Sequence, residues 1–179
     1  ASKVGTSISL NGTTRVVTAD VAASNGIIHA IDRGLAPSTS TIAGIVTASA
    51  AASPARFTLL LQALQCPAAV ALLTAAAAPG SNLTVFAPTD AAFQALLAQL
   101  GLTALNQVPD ATLVAVLQLH VVSSRAFSSD LAEGQVVTAL GDPVTVGAAG
   151  NGAGNANVTT ANILATNGVV HVIDRVLLP

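Results

Sequence analysis

The chain has 179 residues, of which 52% are hydrophobic and 8% charged, with a formal net charge of −2. That length accommodates one ordinary domain and a remainder, and the composition excludes disorder, which needs few apolar residues and many charges. Six scattered Lys and Arg, with four Phe as the only stacking aromatics, argue against nucleic acid as a partner. A single cysteine, Cys66, leaves no intrachain disulfide, and three dispersed His offer no metal site. No cofactor is implied. Mean hydropathy of +0.71 raises the membrane question. However, Gln62, Gln65, Pro67, Pro79, Gly80, Ser81 and Asn82 interrupt the uncharged stretch 57–89, so no run of about 20 apolar residues is left to span a bilayer. With no Met and no charged-then-apolar opening, the sequence reads as a processed protein or a piece of a longer one. Its low Lys and Glu content suits a secreted or surface protein.

In chain order, residues 1–37 predict strands at 6–10, 15–21 and 27–35, with an Asn11-Gly12 turn after the first. A short amphipathic helix follows from Thr41. The next is expected to carry Pro54 in its first turn and Phe57, Leu60, Leu61 and Leu64 at helical spacing. Pro67 opens a third over 68–77, stopped by Pro79-Gly80, and 83–88 reads as a strand. Thr89 caps a helix bearing Phe93, Leu96, Leu97 and Leu100 and ended by Gly101; Pro109-Asp110 starts another that reaches His120. Beyond Ser123 the pattern changes to strands at 135–140, 143–146, 158–163 and 169–178. The 147–155 stretch between them is a glycine-rich hairpin loop, not a phosphate cradle, because no Lys-Ser/Thr follows it. Helices segregated before strands predict an α+β fold.

A repeat organises these elements. Residues 25–37 read NGIIHAIDRGLAP and residues 167–179 read NGVVHVIDRVLLP, an offset of 142 that also aligns TADVAAS at 18–24 with TANILAT at 160–166. Residues 1–37 are therefore expected to be the C-terminal strands of one truncated unit, and 38–179 a complete second one.

The motif Leu83-Thr-Val-Phe-Ala-Pro-Thr-Asp-Ala-Ala-Phe93 resembles the first signature block of the fasciclin (FAS1) domain family. Residues 167–179 resemble its second block, and Leu117-Gln-Leu-His-Val-Val122 resembles the segment carrying its Tyr-His pair. The resemblance covers 38–179 fully and the back part of a copy over 1–37. It implies a wedge of β-strands packed against several helices, and an extracellular or cell-surface module, often in tandem, that acts in adhesion through matrix proteins or glycans. It implies no catalysis. Leu119-His120 and Asn162-Ile163 occupy the positions associated with partner binding. Leu119 stands in place of the Tyr and Asn162 in place of the Asp found in integrin-engaging members, so generic surface adhesion is expected instead. Two other readings are a carrier of a pigment or lipid in a groove between the Leu- and Ala-rich helices of 54–78, and a fibre subunit.

Each candidate residue also has a structural role to fill. His120 lies where a helix passes into a strand and reads as a buried neutral imidazole joining the two. Thr89 and Asp90 read as a helix start, with Asp90 at the positive end of the dipole. An Asp90–His120 couple lacks a serine in a nucleophile elbow, so hydrolase is rejected. Strand alternation puts His171 and Asp174 on opposite faces, which precludes a local dyad. The Asp174-Arg175 and Asp32-Arg33 pairs read as charge pairs or sheet-end contacts, and Cys66 as a packed small hydrophobe. Asn11, Asn82 and Asn157 head Asn-x-Ser/Thr sequons and are candidate N-glycosylation acceptors. Residues 1–37 carry strands without covering helices and are expected to pair with a neighbouring molecule by self-association, with the missing half of their own repeat, or with the following domain's sheet.

Overall fold

A computed structural model describes residues 2–4, 7–128, 134–137, 143–146 and 156–178. The first segment forms an antiparallel sheet of β1 (Ser2–Val4), β2 (Ser7–Leu10), β3 (Thr14–Ala23) and β4 (Gly26–Ile31) in that order. Five helices belong to the rest: α1 (Ile42–Ala50), α2 (Thr58–Gln65), α3 (Val70–Ala77), α4 (Asp90–Gln99) and α5 (Asp110–Leu119). They surround β5 (Leu83–Pro88), β6 (Val121–Val122), β9 (Val158–Ala165) and β10 (Gly168–Ile173), ordered β6-β5-β10-β9. A separate hairpin joins β7 (Gly134–Val137) to β8 (Pro143–Val146). The expected α+β class is what is found, and no helix among the described residues is long and apolar enough to cross a membrane.

The sheet owes its central position to two strands that are buried along their whole length, β5 and β10, paired in parallel from Leu83↔Gly168 to Pro88↔Ile173. Their period-2 alternation feeds two cores. Val85, Ala87, Val170 and Val172 meet Ile42, Val46, Phe57, Leu60 and Phe93 from the helices. On the opposite face Phe86 and Ile173 pack with Leu119, Val122 and Leu177. Close approach is enforced at Gly168, where an added Cβ would lie 2.0 Å from the Leu83 carbonyl oxygen.

Several boundaries differ from the sequence reading. Pro54 lies outside α2, which begins at Thr58, because the cap of that helix comes from a distant carboxylate rather than from its own flank. Pro67 opens a 3-10 turn over Pro67–Ala69, and only then does α3 begin. Strands β1 and β6, three and two residues long, carry too little pattern to be seen in sequence. The final strand stops at Ile173 instead of 178, since Asp174 turns back to bond Asn157. The glycine-rich 147–155 loop lies outside the described residues.

Candidate functional site

The repeat in sequence is a repeat in geometry. In both copies the first strand of the closing hairpin carries two one-residue bulges, and one of them lies opposite the histidine: Ala19-Asp20 face His29 in β3–β4, and Ala161-Asn162 face His171 in β9–β10. The bulged residue is left-handed each time, with φ of 58° at Asp20 and 61° at Asn162, a conformation that Asp and Asn tolerate better than other side chains. The facing imidazole accepts the backbone N–H exposed there, at 3.1 Å from Asp20 N to His29 Nδ1 and 3.4 Å from Asn162 N to His171 Nδ1. The sheet ends match too. Asp32 accepts from Arg15 N at 2.9 Å, and Asp174 accepts from Asn157 N at 2.7 Å.

His120 ends α5 and is buried. Leu177 N donates to its Nε2 at 2.9 Å, so the proton sits on Nδ1, which donates to the Val116 carbonyl at 2.7 Å. Burial lowers its pKa to about 4, the Val116 bond opposing only in part. His171 is lowered in the same direction by burial, against its bond to the Ala126 carbonyl, and it stacks on Phe86 at 5.5 Å. For Asp174 desolvation, the largest single effect, works upward, but the two bonds from Asn157 and the charge of Arg175 together outweigh it and hold the carboxyl below its ordinary value.

Thr89 caps α4 through Ala92 N at 3.3 Å. Asp90, in the first turn of α4, reaches beyond its own helix and accepts from Leu59 N at 2.8 Å, capping α2. Sequence reasoning missed a still more connected residue. Asn167 is fully buried; its Oδ1 accepts from Ile42 N at 2.9 Å, and its Nδ2 donates to the carbonyls of Ala76 and Ala78 at 2.8 and 2.9 Å. It ties the start of α1 to the end of α3. The Asn-Gly signal was visible, but it reads as a turn.

The four expected partner-binding residues do not make one exposed surface. Leu119 and His120 are buried, Ile163 packs against the helical core, and Asn162 is covered by the turn at Gly12. His171 and Asp174 form no dyad, each being engaged elsewhere. Cys66, half-buried at the core edge, donates its thiol to Asp110 at 3.4 Å. Among the described residues no buried side-chain nitrogen or oxygen lacks a hydrogen-bond partner. The apolar cavity between α1, α2, α3 and β5 has about 20 Å³, lined by Ile42, Val46, Leu60, Leu64 and Phe86. What lies open instead is the first hairpin: Val17, Ile27 and Ile28 are 63%, 64% and 58% exposed.

Among the described residues the buried polar side chains are engaged within the fold, while apolar side chains of the first hairpin are exposed outside it. The fasciclin domain model matches residues 1–37 and 55–179, and the chain belongs to the fasciclin domain family, whose members are generally non-enzymatic adhesion proteins. Protein sll1483 of Synechocystis sp. is 35% identical over 131 residues, 72% of this chain and 71% of that protein. Human periostin is 26% identical over 169 residues, 92% of this chain but 19% of its own length. Among solved structures, a FAS1 domain pair from the insect cell adhesion molecule Fasciclin I aligns with a TM-score of 0.59 at 20% identity, over 94% of this chain and 61% of that one.

Proposed function

We propose that this chain is a non-enzymatic adhesion or assembly module of the extracellular space or cell surface, working through protein or glycan contacts. Residues 1–37 are the closing strands of a preceding unit, and 38–179 are a complete unit of a tandem array. Tandem repetition suits weak contacts, which gain by multiplication.

The observation that carries this reading is the exposure of apolar side chains on both faces of β3–β4, Ile27 on one and Ile28 on the other. Ile27 and Ile28 correspond, at the 142-residue offset, to Val169 and Val170, which are wholly buried under β5 and the helices. The free edge of β4 therefore offers the pairing that β10 gives to a strand of the Leu83–Pro88 type. Such an edge recruits another chain unless it is covered. Self-association through residues 1–37 follows, and it also accommodates a fibre subunit. A pigment or lipid carrier gains no support from the helical cavity, whose roughly 20 Å³ holds about one water.

Sedimentation velocity tests the assembly surface. The parent chain is expected to associate with rising concentration, and Ile27→Lys with Ile28→Lys to sediment as a monomer. A parent chain that stays monomeric at all concentrations rules out self-assembly through this face.

Of the sequons, Asn82 is the acceptor favoured by geometry, being exposed on the turn before β5. Asn157 has its side-chain amide bound to Asp174 at 2.8 Å, and Asn11 lies half-buried in the turn beside Asn162. In a eukaryotic secretory host, peptide mass mapping after enzymatic deglycosylation should find Asn82 modified to the greatest extent.

A further inference from the structure

The complete unit holds the turn between β2 and β3 at its own bulge. Ser128 N donates to Asn162 Oδ1 at 2.8 Å, and a backbone N–H can only donate, so the orientation of the amide is set. Its Nδ2 then faces Ser128 Oγ at 2.6 Å and the Gly12 carbonyl at 3.0 Å. Gly12 has φ of +69°, and a Cβ there would come within 2.7 Å of the Asn162 side chain, so the site admits glycine alone. Thr14, just past the turn, is 2% exposed. The connecting segment is held to the same end of the sheet, with Ser38 Oγ donating to the Leu164 carbonyl at 2.8 Å and Thr166 N to the Ser40 carbonyl at 2.9 Å.

We propose that Asn162 and Ser128 form a socket for a tight glycine turn, and that the turn of the preceding unit seated there fixes the angle between successive units. The proposal takes from the reading above only that residues 1–37 belong to a preceding unit, and it is independent of adhesion.

The chain contains its own control. Asp20 occupies the place of Asn162 in the first copy, with the same left-handed backbone and the same bond to a histidine. Its side chain is 81% exposed. The bulge itself therefore does not require an amide. The turn does, because a carboxylate has no proton to give a carbonyl.

Asn162→Asp isolates this difference. Asp keeps the backbone conformation, as Asp20 shows, and both Ser128 groups can donate to it. Only the donor facing Gly12 is lost. Spin labels on Ser24→Cys and Gln94→Cys, in a Cys66→Ser background, read the distance between the two segments by double electron–electron resonance. A narrow distribution is expected for the parent, and in Asn162→Asp its width should increase about twofold or more, as for domains without a fixing interface. Hydrogen exchange in β5 and β10 should stay slow, showing the complete unit intact. Gly12→Ala attacks the contact from the other side and should broaden the distribution equally. Since residue 12 lies outside the complete unit, this variant decides the matter if Asn162→Asp fails to fold. An unchanged distance distribution in Gly12→Ala would overturn the socket. Sedimentation reads the assembly surface separately, so failure of one proposal is distinguishable from failure of the other.

Discussion

At the scale of single residues, the buried histidine at the end of α5 sets how the protein answers to acid. His120 has an ordinary pKa of 6.5 when unfolded and about 4 when folded. Below 6.5 the unfolded chain binds a proton that the folded one refuses, so stability is complete above that pH and falls as pH drops toward 4. Over that window the loss is about 3 kcal/mol from this group. Protonation would set an N–H at Nε2 against the N–H of Leu177, so the C-terminal segment should loosen first. Urea unfolding at pH 7 and pH 4.5 measures the loss, and His120→Gln should flatten the dependence while lowering stability at neutral pH. Gly168→Ala is expected to cost more than about 3 kcal/mol or to prevent folding, because its Cβ would meet backbone that cannot move aside. Thermal unfolding by circular dichroism checks it. The role of His120 was legible in the sequence, as an imidazole between a helix and a strand. That of Asn167 was not: its repeat counterpart Asn25 is exposed, so the shared Asn-Gly signals a turn in both copies and a buried junction in one.

Among elements, helix ends are where the sequence and the structure part. Thr41 and Thr89 cap their own helices through amides three residues ahead, a local arrangement that sequence spacing reveals. The cap of α2 comes from Asp90, 31 residues further along, and no local pattern announces it. Asp90→Ala should therefore destabilise α2 as well as α4, at about 1–2 kcal/mol for the lost cap. Hydrogen exchange is the check, with the Leu59 amide losing protection at least as much as those of α4. If only α4 responds, the link between the two helices is not energetic. Strand positions were legible where alternation ran six residues or more, as in β5 and β10. The single-residue bulges were not, since a bulge shifts the facing pattern without altering composition.

For the whole molecule, two related sequences, 18–37 and 160–179, identical at 11 of 20 positions, live in opposite surroundings. The closing hairpin of residues 158–173 lies against β5 and two cores, while its counterpart at 14–31 leaves apolar side chains exposed on both faces. Amides of β9–β10 should exchange only through global unfolding, and those of β3–β4 through local opening at rates higher by about 100-fold or more. Equal protection in the two hairpins at low concentration would mean that the first is covered, contrary to its exposure. The duplication itself was legible to the residue. What sequence could not tell was which copy is buried, because burial depends on the partner strand and helices, not on the motif.

The parallel pairing of β5 with β10 joins residues 85 positions apart, from Leu83 to Gly168. Both strands are central, so on the ribosome the β6-β5-β10-β9 sheet cannot be completed until residues 168–173 are made. Long-range pairing of this kind is slow and late. In the tandem array proposed above, each unit would then close from its C-terminal end before the matching strands of a following unit are synthesised, which limits wrong pairing between related copies. Stalled nascent chains released from the tunnel but ending before residue 168 should stay protease-sensitive, and chains with 173 exposed should become resistant.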